Sequence, residues 1–76
     1  MYLNRIKNNE YYVVDEINLL EKAKRRLYDI GLVTGTKIKL LFESPSKRIK
    51  AYLVRDSIIA IRNTDAQFIE VSELND

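Results

Sequence analysis

Two glycines four positions apart constrain this chain more than any other feature. Gly31 and Gly35 are the only glycines in 76 residues, and both lie in the stretch Arg26–Thr36. An aliphatic residue, a glycine and then a hydrophobe, Ile30-Gly31-Leu32, is the pattern of a helix ended by a left-handed cap. Gly31 takes positive φ without a Cβ clash, and Leu32 folds back onto the last helical turn. Thr34-Gly35 ahead of an alternating run then reads as a tight turn whose positive-φ position again requires glycine. The segment predicts a rigid corner that turns a helix into a strand. A phosphate-binding loop is excluded, because no Lys-Ser/Thr pair follows Gly35 at the required spacing and Thr36-Lys37 enters a strand rather than a helix.

The elements on either side follow from periodicity. Asn18 is a candidate N-cap, with Glu21 three residues on to complete a capping box. A helix over about 19–30 carries an apolar stripe of Leu20, Ala23, Leu27 and Ile30. Ahead of it, the aromatic and β-branched run Tyr11–Ile17 suits a strand with Tyr11, Val13 and Ile17 on one side, and a bulge near Asp15 would restore the alternation. After the corner, Lys37–Glu43 points Ile38, Leu40 and Phe42 one way, and Ile49–Val54 points Ile49, Ala51 and Leu53 inward. Pro45 places Ser44–Arg48 in a loop, and Arg55-Asp56-Ser57 is short enough for a hairpin. Ile58–Ile61, apolar on both faces, predicts a central strand. Asn63–Gln67 reads as one helical turn, near 63–66, capped by Asn63. Phe68–Val71 is a last strand with Ile69 and Val71 inward. At the start of the chain, Leu3 and Ile6 stand at helical spacing, as in opening segments that plug one end of a core. These elements predict a mainly β fold, a small barrel of about five strands with one inserted helix, forming one domain over 1–76 with its core over about 11–71.

The side-chain inventory excludes most chemistry. There is neither Cys nor His, which removes disulfides, thiolate nucleophiles, the commonest general base and the commonest transition-metal ligand. The serines Ser44, Ser46 and Ser57 lack a base partner, so no catalytic residue is assigned. Carboxylates cluster only at Asp15-Glu16 and at Glu70, Glu73 and Asp76, and neighbours on a strand point to opposite faces, so no metal ligand or cofactor is assigned. Net charge is +2 with acids scattered among the bases, and Tyr52 beside Lys50 is the sole aromatic interleaved with a basic run. Nucleic-acid binding is therefore not expected. No apolar run approaches the roughly 18 residues of a membrane span, and no secretory leader opens the chain, so a cytoplasmic domain without membrane insertion is expected.

A family resemblance emerges from the order of these motifs. Arg26-Leu27, Ile30-Gly31-Leu32, Gly35, Pro45, Ile59-Ala60-Ile61-Arg62, Ala66 and Ile69-Glu70-Val71 together resemble the FeoA domain, the small cytoplasmic partner of the bacterial ferrous-iron transporter FeoB. The chain departs from the family at its turns. Thr34 stands where members commonly have proline, Lys47-Arg48-Ile49 where a second loop proline is common, Arg55-Asp56-Ser57 where a hairpin glycine is common, and Asn8-Asn9 where Pro-Gly opens the domain. The resemblance implies an SH3-like β-barrel, with Leu27, Gly31, Leu32, Gly35 and Ala66 as structural positions. It also implies a non-catalytic accessory role in iron homeostasis, binding the cytoplasmic part of an FeoB-type transporter, with transition-metal binding as a family label. The same module forms the C-terminal domain of iron-dependent repressors of the diphtheria toxin repressor type, which leaves a regulatory module as the alternative. A chain of this length with no DNA-binding portion is expected to be of the FeoA kind, with an RNA-binding small barrel a more distant alternative. SH3-like barrels accept extended peptides between loops. A partner surface is expected from Arg25 and Tyr28 on the helix, Pro45, Lys47 and Arg48 in the loop, and Arg55 at the hairpin tip, with Tyr28 at the core edge. An exposed edge strand leaves weak homo-oligomerisation open.

Overall fold

The computed structural model describes residues 1–74. A short 3₁₀ turn (Leu3–Arg5) is followed by β1 (Tyr11–Ile17), α1 (Glu21–Asp29), β2 (Lys37–Glu43), β3 (Ile49–Val54), β4 (Ser57–Arg62), α2 (Asn63–Ala66) and β5 (Ile69–Glu73). The strands form one antiparallel sheet in the order β4-β3-β2-β1-β5. It wraps a core of Tyr12, Val14, Ile17, Leu32, Ile38, Leu40, Tyr52, Val54, Ile61, Ile69 and Val71, into which Leu3 and Ile6 also insert. The mainly β architecture and the positions of all five strands agree with the sequence reading.

The facing of several strands does not. In β1 the buried residues are Tyr12, Val14 and Ile17, not Tyr11 and Val13. A register shift between Val14 and Glu16 supplies the bulge at Asp15 that lets Ile17 return to the core. In β3 the core takes Tyr52 and Val54, so Ile49 and Leu53 face outward. Both strands are apolar on both parities, so packing decides which side enters the core; in β3 the larger side chain, Tyr52, takes the interior. In β2 a second shift between Leu40 and Phe42 makes Leu41 the extra residue and turns Phe42 out to 55% exposure. Each bulge reverses the alternation beyond it.

β4 is an edge strand, not a central one. Its apolar look has another origin: Ile59 and Ile61 face the core while Ile58 and Ala60 face away from it. The opposite edge, β5, is covered by the start of the chain. The Val71 N–H donates to the Met1 carbonyl at 2.8 Å, the Met1 ammonium donates to the Val71 carbonyl at 3.1 Å, and Tyr2 bridges Glu70.

Helix starts also differ from expectation. The Asn18 N–H donates to the Phe68 carbonyl at 2.9 Å, prolonging the β1–β5 ladder, and Asn18 lies two residues ahead of the N-cap position that α1 uses. Leu20 occupies the N-cap position with no side-chain cap bond. Of the expected stripe, Leu20 is 86% exposed and Ile30 is exposed, and no residue of α1 is buried. Leu27, joined by Leu19 from the preceding turn, leans on the core from the side. At α2, Arg62 is the N-cap, and Asn63 instead donates its side-chain amide to the Lys47 carbonyl at 2.6 Å.

Candidate functional site: the helix corner and its groove

The glycine corner has the predicted geometry. Gly31 has φ +95° and Gly35 has φ +92°. The Gly31 N–H donates to the Tyr28 carbonyl at 3.0 Å and the Leu32 N–H to the Leu27 carbonyl at 2.9 Å. These two bonds are the paired closures of a Schellman cap, with Leu32 fully buried behind it. The Thr36 N–H then closes a turn onto the Val33 carbonyl at 3.1 Å. Thr36 is buried, and its hydroxyl accepts from the Val33 N–H at 3.2 Å and donates to the Gly31 carbonyl at 3.4 Å. One hydroxyl therefore ties the cap to the turn.

Arg55, at the β3–β4 tip, lies over this corner, with its Cδ 3.5 Å from where a Cβ on Gly31 would stand. The tip is a two-residue hairpin, since Val54 pairs Ser57, and Arg55 itself takes φ +53°. Beside the corner, α1 and β4 are separated by a groove of about 420 Å³. Ala23, Leu27 and Ile30 of the helix face Ala60 and Ile61 of the strand across it, with Arg26, Asp29, Arg62 and Asp65 around it. Arg62 and Asp65 approach at 3.7 Å in an exposed pair.

The candidate partner residues fall into two groups. Arg25 and Tyr28 are exposed on α1, with the Lys24 ammonium 5.8 Å from the Tyr28 ring centre, and Arg55 sits at the corner that ends α1. Pro45, Lys47 and Arg48 belong to a loop at the other end of β3, a strand length of roughly 17 Å away. Lys47 has φ +62°, and the Arg48 carbonyl accepts from the Asn63 N–H at 2.8 Å, so this loop is tied to α2. Ala23, Ile30 and Ala60 border the groove without having been singled out from the sequence. The signal of Ala23 and Ile30 was the apolar stripe, which suggested the core, and that of Ala60 was the apolar strand Ile58–Ile61. Among the described residues no group of three carboxylates converges as a cation site, and Asp76 lies outside the described residues. No helix among them is long and apolar enough to cross a membrane.

The sequence model of the FeoA domain matches residues 1–73. The chain belongs to the FeoA domain family. A Helicobacter pylori (strain J99) chain assigned the name Fe(2+) transport protein A is 30% identical over 74 residues, covering 96% of this chain and 95% of that one. The solution structure of FeoA from Chlorobium tepidum superposes with a TM-score of 0.93 at 28% identity, covering 99% of this chain and 71% of that one. An FeoA-like protein from Clostridium acetobutylicum gives 0.85 at 26%, covering 100% and 88%. The manganese-activated repressor ScaR shares the fold, with a TM-score of 0.84 at 20% identity over 97% of this chain and 35% of the repressor. These likenesses identify the sheet as the SH3-like fold of the FeoA family. They also give the turn departures a physical reading. Asn9 at φ +62° and Arg55 at φ +53° adopt left-handed backbone at the two turns where the resemblance leads to an expectation of glycine.

Proposed function

We propose that this chain is a cytoplasmic accessory module of ferrous-iron uptake that docks on the cytoplasmic part of an FeoB-type transporter and modulates its activity without catalysing a reaction. Membership of the FeoA family and likeness to the Helicobacter pylori Fe(2+) transport protein A support the iron context. The observation that carries the docking role is α1, an amphipathic helix that the core leaves unburied and that borders an open apolar groove. A helix whose apolar residues remain available is suited to receive a partner segment. Arg25, Tyr28 and Arg55 are the contacts at this end, and Pro45, Lys47 and Arg48 form a second contact on a sufficiently long partner. Iron is the transporter's cargo here, not a ligand of this chain. Nucleic acid is not a partner in this reading, and the uncovered β4 edge is where weak self-association would occur.

Titration of the full chain against the isolated cytoplasmic domain of the transporter tests the proposal. Saturable binding that weakens on Tyr28→Ala is expected. No binding at high micromolar concentration, together with unchanged iron uptake on deletion, would overturn it. The fold shared with ScaR defines the competing reading of a repressor-type regulatory module, which a neighbouring helix-turn-helix chain would favour over a neighbouring GTPase with membrane spans.

A further inference from the structure

Over β2, β3 and β4 the face of the sheet turned away from the core is apolar and the charged side chains in its rows are cations, while toward β5 the same face bears the Glu16–Glu70 pair. Because Tyr52 and Val54 face inward, the two-residue period of β3 sends Ile49 and Leu53 outward, with Ala51 on the same side but buried between its neighbours. Strand register extends them into ladders. Tyr11, Lys39, Leu53 and Ile58 stand side by side across β1, β2, β3 and β4. Phe42, Ala51 and Ala60 form a second row, and Ile49 with Arg62 a third. Ile58 is 64% exposed, and Phe42, Tyr11 and Ile49 are exposed with it. The solvated face of an antiparallel sheet normally carries polar side chains, and a contiguous exposed apolar patch marks an interaction surface. The charged members of these rows are Lys39 and Arg62, and none is a carboxylate. Lys39 is set within the patch, its ammonium 4.8 Å from the centre of the Tyr11 ring.

We propose that this outer face docks an acidic amphipathic segment of a partner protein, its apolar stripe on Leu53, Ile58 and Phe42 and its carboxylates on Lys39 and Arg62. Charge complementarity selects this occupant. A second copy laid face to face would bring Lys39 and Arg62 against their own kind, and a purely apolar segment would desolvate Lys39 without a counter-charge. The Arg62–Asp65 pair at 3.7 Å is exposed, so Arg62 can exchange partners at little cost. An anionic membrane offers the same charge. The patch, however, lies flat on the strands with Lys39 inside it, rather than as protruding apolar tips ringed by cations. This face lies on the side of the sheet opposite the core on which Leu27 leans. It meets the α1 groove at Ala60 and Arg62, and Lys39, Phe42, Leu53 and Ile58 lie outside the groove and distinguish the two docking modes.

The test is an amide NMR titration of the full chain with a synthetic helical peptide carrying Leu on one face and Glu on the other. Shifts at Lys39, Phe42, Leu53 and Ile58 are expected, with α1 unmoved. Ile58→Asp and Phe42→Ser, both at exposed positions, should each weaken binding by about tenfold or more. Lys39→Glu should transfer preference to the same peptide with Lys in place of Glu. Shifts confined to α1, equal binding of the Glu and Lys peptides by the natural chain, or no binding of either would overturn the proposal. Sedimentation with phosphatidylglycerol vesicles that depends on Ile58 and Lys39, without peptide binding, would replace the protein segment with a membrane surface.

Discussion

The opening turn and α1 reverse the ranking that their sequences suggest. Leu3–Arg5 is three residues of 3₁₀ helix, yet Leu3 is 0% exposed and Ile6 is buried beside it. α1 is nine residues long with a well-separated apolar side, yet buries none of them. The difference lies in attachment. The opening segment is held on both flanks, by Met1–Tyr2 along β5 and by the Asn9 N–H donating to the Leu40 carbonyl at 3.0 Å. α1 is anchored by the extended chain before Leu20, by the Schellman cap and, along its length, by the half-buried Leu27. Stability therefore concentrates in a segment of little regularity, while the most regular helix is left for contacts. Leu3→Ala should break this arrangement most severely, removing about 3 kcal/mol through lost burial and a residual cavity. Urea unfolding checks it, and a loss below about 1 kcal/mol would show that the turn is only a lid.

The second-largest effect belongs to the corner. Gly31→Val forces a β-branched residue to φ +95°, a region that costs an L-residue about 1–2 kcal/mol and a branched one more. An expected loss of about 2 kcal/mol should appear as a lower thermal midpoint before any loss of binding. An unchanged midpoint with lost partner binding would make the corner a recognition loop instead.

Two buried tyrosines sharpen the contrast inside the core. The Tyr12 hydroxyl accepts from the Lys7 N–H at 3.2 Å and donates to the Glu10 carboxylate at 3.3 Å. The Tyr52 hydroxyl is buried with no hydrogen-bond partner among the described residues. Burial first, and then the Glu43 carboxylate, push the Tyr52 phenol well above its ordinary range. The folded state thus keeps the proton that the unfolded chain releases near pH 10. The resulting stability is intact below about pH 10 and is lost as pH rises beyond it. Tyr52→Phe should remove that alkaline loss and be neutral or up to about 1 kcal/mol stabilising at pH 7, since it deletes an unpaired buried group. Stability curves of the two chains that run parallel through the alkaline range would contradict this.

Element positions were legible because the turn residues and the Ile30-Gly31-Leu32 step act locally. The facing of β1 and β3 was not. Tyr11-Tyr12-Val13-Val14 and Ala51-Tyr52-Leu53-Val54 are apolar at both parities, so alternation carries no phase and packing decides it. Phe42 was misplaced for a different reason: the bulge at Leu41 depends on pairing with β3 and has no signature in Leu40-Leu41-Phe42. Of the candidate site, the corner could be read from its glycines. The groove could not, because it exists only where β4, distant in sequence, comes to lie beside α1.

The smallest stability effect tests the helix directly. Leu20 is the N-cap of α1, makes no side-chain cap bond and is 86% exposed. Its backbone carbonyl accepts from the Lys24 N–H at 2.9 Å, a bond that any side chain preserves. A charged residue there should therefore leave stability within about 0.5 kcal/mol of the natural chain. A carboxylate near the helix N-terminus adds a small favourable dipole interaction rather than a penalty. If α1 were a core helix in the ordinary sense, Leu20→Glu would remove one end of its apolar stripe and cost several times as much. Binding should respond in the opposite proportion: an added negative charge beside the groove should weaken docking of the transporter's cytoplasmic domain by severalfold at unchanged thermal midpoint. A coupled fall in both quantities would return α1 to the core, and with it the comparison between a buried irregular turn and an unburied regular helix would fail.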